Sequence, residues 1–189
     1  MSTLVYLGLG SNHKRELNLQ YALDFLFALL SDGLCSPVYS SRPVGAQGCE
    51  FFNLVMCGKT DLSLEQLSRV IKRYESNYHR RYMPSLIMPI DIDVLLYGSY
   101  VGEFKGGVLP RSDLVESPYV MLPISMLAPH DTHPVSGMTF SSIWREFEQQ
   151  IARRNRPERV KTSKHIKMVL PAVPSSIQHV YFGISKSSF

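Results

Sequence analysis

Cysteine is scarce in this chain: three residues in 189, at positions 35, 49 and 57, an odd number with no CxxC pair. That pattern excludes a disulfide framework and a zinc knuckle, and it fits reduced thiols in a cytoplasmic protein. Long apolar runs are missing too, so no segment reads as a membrane span. The opening MSTLVYLGLGSN lacks the basic flank and extended apolar stretch of a signal peptide, and reads instead as a first strand. Internal repeats are absent. What remains is 44% apolar and 19% charged, the composition of a globular chain long enough for one domain with a real core.

Net charge is +4, and the excess sits late. Residues 153–167 (RRNRPERVKTSKHIK) are dense in Lys and Arg with a single Glu. No aromatic platform interleaves them, so the run reads as a solvated helix end and tail rather than a nucleic-acid surface. The expected organisation is a domain over 1–154 and a basic C-terminal extension over 155–189, in which MVLPAV and HVYFGI are candidate short strands.

Periodicity supplies the elements. Residues 3–9 alternate as a strand, and Gly8, Gly10, Ser11 and Asn12 suggest a tight strand-to-loop exit. Leu19, Leu23, Leu26 and Leu30 place a helix over 18–31. A second strand is expected over 35–41, with Pro37 at its start or edge. FFNLVMCGKT, 51–60, reads as a third strand. Ser63 followed by Gln66 is a capping-box pattern opening a second helix with a buried stripe through Tyr74. A basic loop leads to a fourth strand at IMPIDIDVLLYG, and residues 101–120 read as loop and short turns. YVMLPISMLAP suggests a short helix or buried crossing segment, and Thr139 or Ser141 can cap a last helix running to about Arg154. The order β-α-β-β-α-β predicts an α+β fold of ferredoxin-like type, an antiparallel sheet with two helices on one face.

The fourth strand carries a puzzle. Asp91 and Asp93 are two residues apart and therefore project to the same face, opposite Ile90, Ile92 and Val94. Adjacent carboxylates on a largely buried strand repel and lose hydration. A divalent cation would remove the conflict, and hard oxygen ligands suit magnesium. The other reading is an edge strand whose wet face is acidic. Two further signals are weaker. GLGSN lacks the lysine and glycine spacing of a phosphate loop, and His130, Asp131 and His133 lie between prolines in a turn.

Six landmarks in order carry a resemblance: YLGLGSN, YSSRPVG followed by FFN, DIDVLLYG, LPRSDL, PYVMLP, and LAP with HPVSG. From about residue 3 to 148 the chain resembles the 6-hydroxymethyl-7,8-dihydropterin pyrophosphokinases of folate biosynthesis. The resemblance implies transfer of diphosphate from ATP to a pterin alcohol, with AMP leaving, by in-line attack assisted by two Mg2+ ions. It implies Asp91 and Asp93 as metal ligands. Phe51 and Tyr119 would stack the pterin, Asn53 would read its amide edge, and Ser41 and Val44 would read the rest. It places Glu75, Arg80, Arg81, Arg111 and Ser112 around ATP. The implied partners are the pterin and ATP alone, with neither membrane nor nucleic acid, in a monomer or weak homodimer.

The chain also departs from the family pattern. Met88 stands where an arginine is expected before the aspartates, Ser85 replaces a loop tryptophan, and the basic loop is about two residues short. A histidine position holds Arg111, and a phosphate-contacting arginine is replaced by Ser117. Arg111 with Arg80 or Arg81 would then have to supply the phosphate clamp. The alternatives are a diverged paralogue acting on a modified pterin, or a pterin- or nucleotide-binding protein without turnover. An RNA-binding module of the same fold is disfavoured, because the sheet lacks the RNP aromatic signature.

Overall fold

A computed structural model describes residues 2–42, 49–79, 87–151 and 156–160. Val44, Arg80, Arg81, Ser85 and the two candidate strands of the extension lie outside the described residues. No described helix is long and apolar enough to cross a membrane.

The chain opens with β1 (Thr3–Ser11), α1 (Arg15–Leu29), β2 (Ser31–Cys35), β3 (Tyr39–Ser41) and β4 (Phe51–Thr60). It continues through α2 (Leu64–His79), β5 (Asp91–Tyr97) and a hairpin of β6 (Gly102–Phe104) and β7 (Gly107–Leu109). It closes with α3 (Asp113–Glu116), α4 (Pro118–Leu127), α5 (Phe140–Gln150) and β8 (Glu158–Arg159). The main sheet is ordered β5-β1-β4-β3-β8, with β2 also against β4. Every pairing in it is antiparallel. With β2 and β3 taken as one interrupted strand, this is the expected ferredoxin-like order, plus a short added strand.

The interruption has a local cause. Pro37 has no N–H to give to a ladder. Beside it Ser36 donates its N–H to the Val55 carbonyl (2.8 Å), and its hydroxyl accepts the Val55 N–H (3.0 Å). A side-chain oxygen thus replaces a backbone acceptor; of the strand expected over 35–41 only Cys35 and Tyr39–Ser41 are strand, and β2 begins earlier, at Ser31.

Helix ends follow the side chains that cap them. Ser63 Oγ accepts the Gln66 N–H at 3.3 Å while Gln66 Oε1 accepts the Ser63 N–H at 2.8 Å, the reciprocal box expected at α2. Thr139, rather than Ser141, caps α5 by accepting from Ser142 N. Helix α1 starts three residues earlier than its leucine spacing suggests. Buried Asn18 explains why: its amide donates back to the His13 carbonyl (2.6 Å), so it braces the loop from inside the first turn.

Alternation along the strands makes two cores. Leu7, Leu9, Leu54, Met56, Ile90 and Ile92 pack with α1 and α2 on one face. Tyr6, Val55, Cys57 and Leu95 pack with α4 and α5 on the other. The two helices of the expected order, α1 and α2, share one face. YVMLPISMLAP and the last helix cover the second face, with Pro123 accommodated inside α4. The Tyr6 phenol donates to Asp131, and His133 Nδ1 accepts the Ser136 N–H, so the turn after α4 is closed by its own bonds. Beyond α5, Arg156 pairs with Glu148 and lies over the Trp144 ring. Glu158 and Arg159 then pair with Ser40 and Tyr39, so the start of the basic extension joins the sheet.

Candidate active site

The second face is left open at one end, and there the sequence-selected residues converge. Register brings Tyr39, Asn53, Gly10 and Asp91 into one row across β3, β4, β1 and β5. The next row carries Val55, Gly8 and Asp93. Paired residues on an antiparallel ladder project to the same side, so the two aspartates share a face with Asn53. Between them the floor is glycine. Gly8 and Gly10 do not form the exit turn expected from sequence; they are extended residues of β1, which runs on to Ser11. A Cβ on Gly10 would stand 3.2 Å from Asn53 Oδ1 and 3.8 Å from Phe51 Cδ1. The missing side chains keep the floor open for a flat ligand.

Asn53 is buried and donates its amide to Ser41 Oγ at 2.8 Å. That bond holds the amide plane while its carbonyl oxygen faces the glycine floor. Phe51 and Tyr119 are both half-buried, from β4 and α4.

On the acidic side, Asp93 is raised above the usual carboxylate range, by burial first and by the charge of Asp91 second. Arg111 and Lys72 oppose that shift. Arg111 reaches Asp93 Oδ2 with Nη2 at 3.7 Å and Asp113 Oδ2 at 3.1 Å. Its Nε also donates to Asp113 (3.2 Å), and its backbone N–H to the Leu95 carbonyl (3.1 Å). The other Asp113 oxygen accepts from Ser117 Oγ at 2.8 Å and the Tyr119 hydroxyl at 3.5 Å. Asp113 therefore ties Arg111 to Tyr119. Sequence reasoning passed over it, although it lies within the LPRSDL landmark two residues after Arg111. Ser112 caps nothing with its side chain and lies at the start of α3.

Met88 keeps its expected position before the pair. Its N–H donates to Asn12 Oδ1 (2.6 Å) and its carbonyl accepts the Asn12 N–H (3.0 Å). Ser11 Oγ donates to the Pro89 carbonyl at 2.6 Å. GSN thus clips the entry to β5 rather than cradling phosphate. Glu75 is among the residues expected around ATP. It is buried against the edge strand, with Oε1 accepting the Ile92 N–H (2.8 Å) and Oε2 paired with Lys72 Nζ (2.9 Å).

Among the described residues no three metal-ligating side chains gather. The donor set is two carboxylates on one face, which matches magnesium, an ion bound by one or two carboxylates and completed by substrate phosphates and water. The raised Asp93 carboxyl is the electrostatic signature of a pair that a cation would relieve.

The family model for 7,8-dihydro-6-hydroxymethylpterin-pyrophosphokinase (HPPK) matches residues 6–129. The chain belongs to this family. Among HPPK relatives, the 2-amino-4-hydroxy-6-hydroxymethyldihydropteridine pyrophosphokinase of Campylobacter jejuni is 27% identical over 132 residues, 66% of this chain and 82% of that protein. The folic acid synthesis protein fol1 of Pneumocystis carinii is 25% identical over 149 residues, 76% of this chain and 20% of that protein. The chain thus spans about a fifth of that longer relative. The fold is likewise that of the HPPK-DHPS of Plasmodium falciparum, solved with pterin and p-hydroxybenzoate. There the TM-score is 0.66 at 15% identity, over 87% of this chain and 46% of that one.

Proposed function

We propose that this HPPK-family chain transfers diphosphate from ATP to the hydroxymethyl group of 6-hydroxymethyl-7,8-dihydropterin, releasing AMP in folate biosynthesis. One observation carries the reading: Asn53, Gly10 and Asp91 stand in a single row. Asn53 and Asp91 are two strands apart, about 10 Å. That separation suits a bicyclic heterocycle read at one end by an amide and presenting a one-carbon alcohol to carboxylates at the other.

In this reading Phe51 and Tyr119 stack the ring, while Asn53 and Ser41, with Val44, read its edge. Asp91 and Asp93 hold two magnesium ions, whose chemistry is to neutralise the ATP phosphates and align the alcohol. The alcohol oxygen forms a bond to the β-phosphorus, the bridging bond to the α-phosphate breaks, AMP leaves, and the hydroxyl proton passes to solvent. Arg111, held by Asp113, draws on the phosphate charge. Glu75 acts from behind, fixing the backbone of Ile92 between the two aspartates.

The test is AMP release from ATP and magnesium with this pterin, against an Asp91→Ala, Asp93→Ala control. AMP and pterin diphosphate formed one to one, and lost in the control, support the transfer. A second reading, ligand binding without turnover, is favoured by Met88 standing at the arginine position. It predicts a bound pterin and no AMP.

A further inference from the structure

Lys72 belongs to neither half of the site as read from sequence. It lies on α2, the helix that packs against the free edge of β5, and its side chain is 58% exposed. Its ammonium is 2.9 Å from Glu75 Oε2, while the other oxygen of that carboxylate accepts the N–H of Ile92, the residue between the two aspartates. The buried carboxylate therefore does two things at once. It satisfies an edge N–H that no neighbouring strand pairs, and it anchors a cation beside the acidic pair. A glutamine at 75 would satisfy Ile92 without fixing any charge.

The ammonium sits close enough to feel both aspartates. Burial pulls its pKa down, but Glu75, Asp93 and Asp91 together raise it, so Lys72 stays charged. An ammonium has three donors, and Glu75 accepts from one. Among the described residues no other ion pair engages Lys72, and its remaining donors lie at an exposed rim, beside carboxylates that in the proposed reaction would carry the metal and the polyphosphate.

We propose that Lys72 is a phosphate-binding residue of this site, gripping the polyphosphate of ATP from the α2 side while Arg111 does so from the turn between β7 and α3. The inference rests on the pyrophosphokinase reading. It supplies a source for the positive charge that Met88 and Ser117 do not provide. The ligand class is a nucleoside triphosphate, recognised at its β- and γ-phosphates. AMP, which lacks them, gains nothing from Lys72.

The bland role for Lys72 is to neutralise buried Glu75, and the experiment removes that role first. Affinities for magnesium α,β-methylene-ATP and for AMP are measured in the full chain carrying E75Q and in K72M/E75Q. Position 75 is neutral in both, so neither variant buries an unpaired charge there. The proposal expects K72M/E75Q to bind the triphosphate about tenfold more weakly than E75Q, the loss typical of one charge-assisted hydrogen bond. AMP affinity should stay within about twofold, and K72R in the natural background should keep most of the triphosphate affinity. Equal triphosphate affinity in the natural protein, E75Q and K72M/E75Q overturns the role of Lys72 and leaves the reaction class standing, while a loss of triphosphate but not AMP affinity already complete in E75Q supports it, because Glu75 holds the ammonium in place. Failure of the natural protein to bind the triphosphate at all overturns both.

Discussion

Replacing Gly10 with alanine should separate the stability of this fold from its ability to bind. Gly10 is extended, so alanine suffers no backbone strain there. A strand-interior Gly→Ala change generally stabilises by about 0.5–1 kcal/mol through the unfolded chain. Against this stands one contact. The new Cβ would meet Asn53 Oδ1 at 3.2 Å, closer than ordinary van der Waals distance, so the amide must shift by a few tenths of an ångström. Asn53 is buried and tied to Ser41 at 2.8 Å, and bending that bond costs on the order of 1 kcal/mol. The two effects nearly cancel, and the thermal midpoint should move by only a few degrees. Binding has no such offset. On the proposed reading a displaced amide would misalign two hydrogen bonds to the pterin, each worth about 1–1.5 kcal/mol, so affinity should fall roughly 30- to 150-fold. Fluorescence titration with the pterin, beside calorimetric unfolding, measures both quantities. Gly8→Ala, whose Cβ would meet Leu95 at an ordinary 3.4 Å, adds a methyl to the same floor and so measures the loss from filling it, against which the Gly10→Ala loss is read. Pterin affinity within threefold of natural in Gly10→Ala would refute the claim that the glycine floor exists for Asn53.

Asp93→Asn should lower AMP formation at least a hundredfold while leaving the ligand-free thermal midpoint unchanged or higher, since it removes a like-charge contact with Asp91; a large drop in the midpoint would contradict this. Asp113→Asn should loosen Arg111 and raise the KM for ATP about threefold to tenfold, with the KM for pterin changed by less than twofold; steady-state kinetics decide, and an unchanged ATP KM counts against Asp113 as a positioning residue. His133 is lowered below its ordinary value by burial, so the unfolded chain binds its proton more readily. This contribution to stability is full above about pH 6.5 and declines as pH falls towards the folded value, then levels off. His133→Asn, which keeps an acceptor for the Ser136 N–H, should reduce the loss of urea stability between pH 7.5 and 5; an unaltered pH slope would show that His133 is not responsible.

Legibility in the sequence followed the range of the forces involved. β4 begins and ends where FFNLVMCGKT does, and the Ser63–Gln66 box starts α2, because alternation and capping are local. The aspartate pair was readable for the same reason: spacing of two fixes a shared face. Gly8 and Gly10 were misread because glycine signals turns locally, whereas at Gly10 the demand comes from Asn53 on the neighbouring strand. The helices of the second layer were readable but not the face they cover, because YVMLPISMLAP is apolar all round and announces none. Lys72 reads as an ordinary exposed residue of an amphipathic helix. It acquires meaning only when α2 docks Glu75 on the edge of β5, a contact seventeen residues long in sequence. Asp113 gains its role only through the fold of the turn around Arg111.

The pairing of β8 with β3 bears on how the molecule is made. Ser40 waits for Glu158, 118 residues further along, to close its outer side. Synthesis proceeds at about 5–20 residues per second, so the strand carrying Ser41 stays bare on that flank for roughly 6–24 seconds after its own translation. During that interval β1, β4 and β5 can already assemble, and the nascent chain offers one sticky margin next to an otherwise finished binding floor. The outer flank of the strand that carries Ser41 is thus closed late, by Glu158 and Arg159.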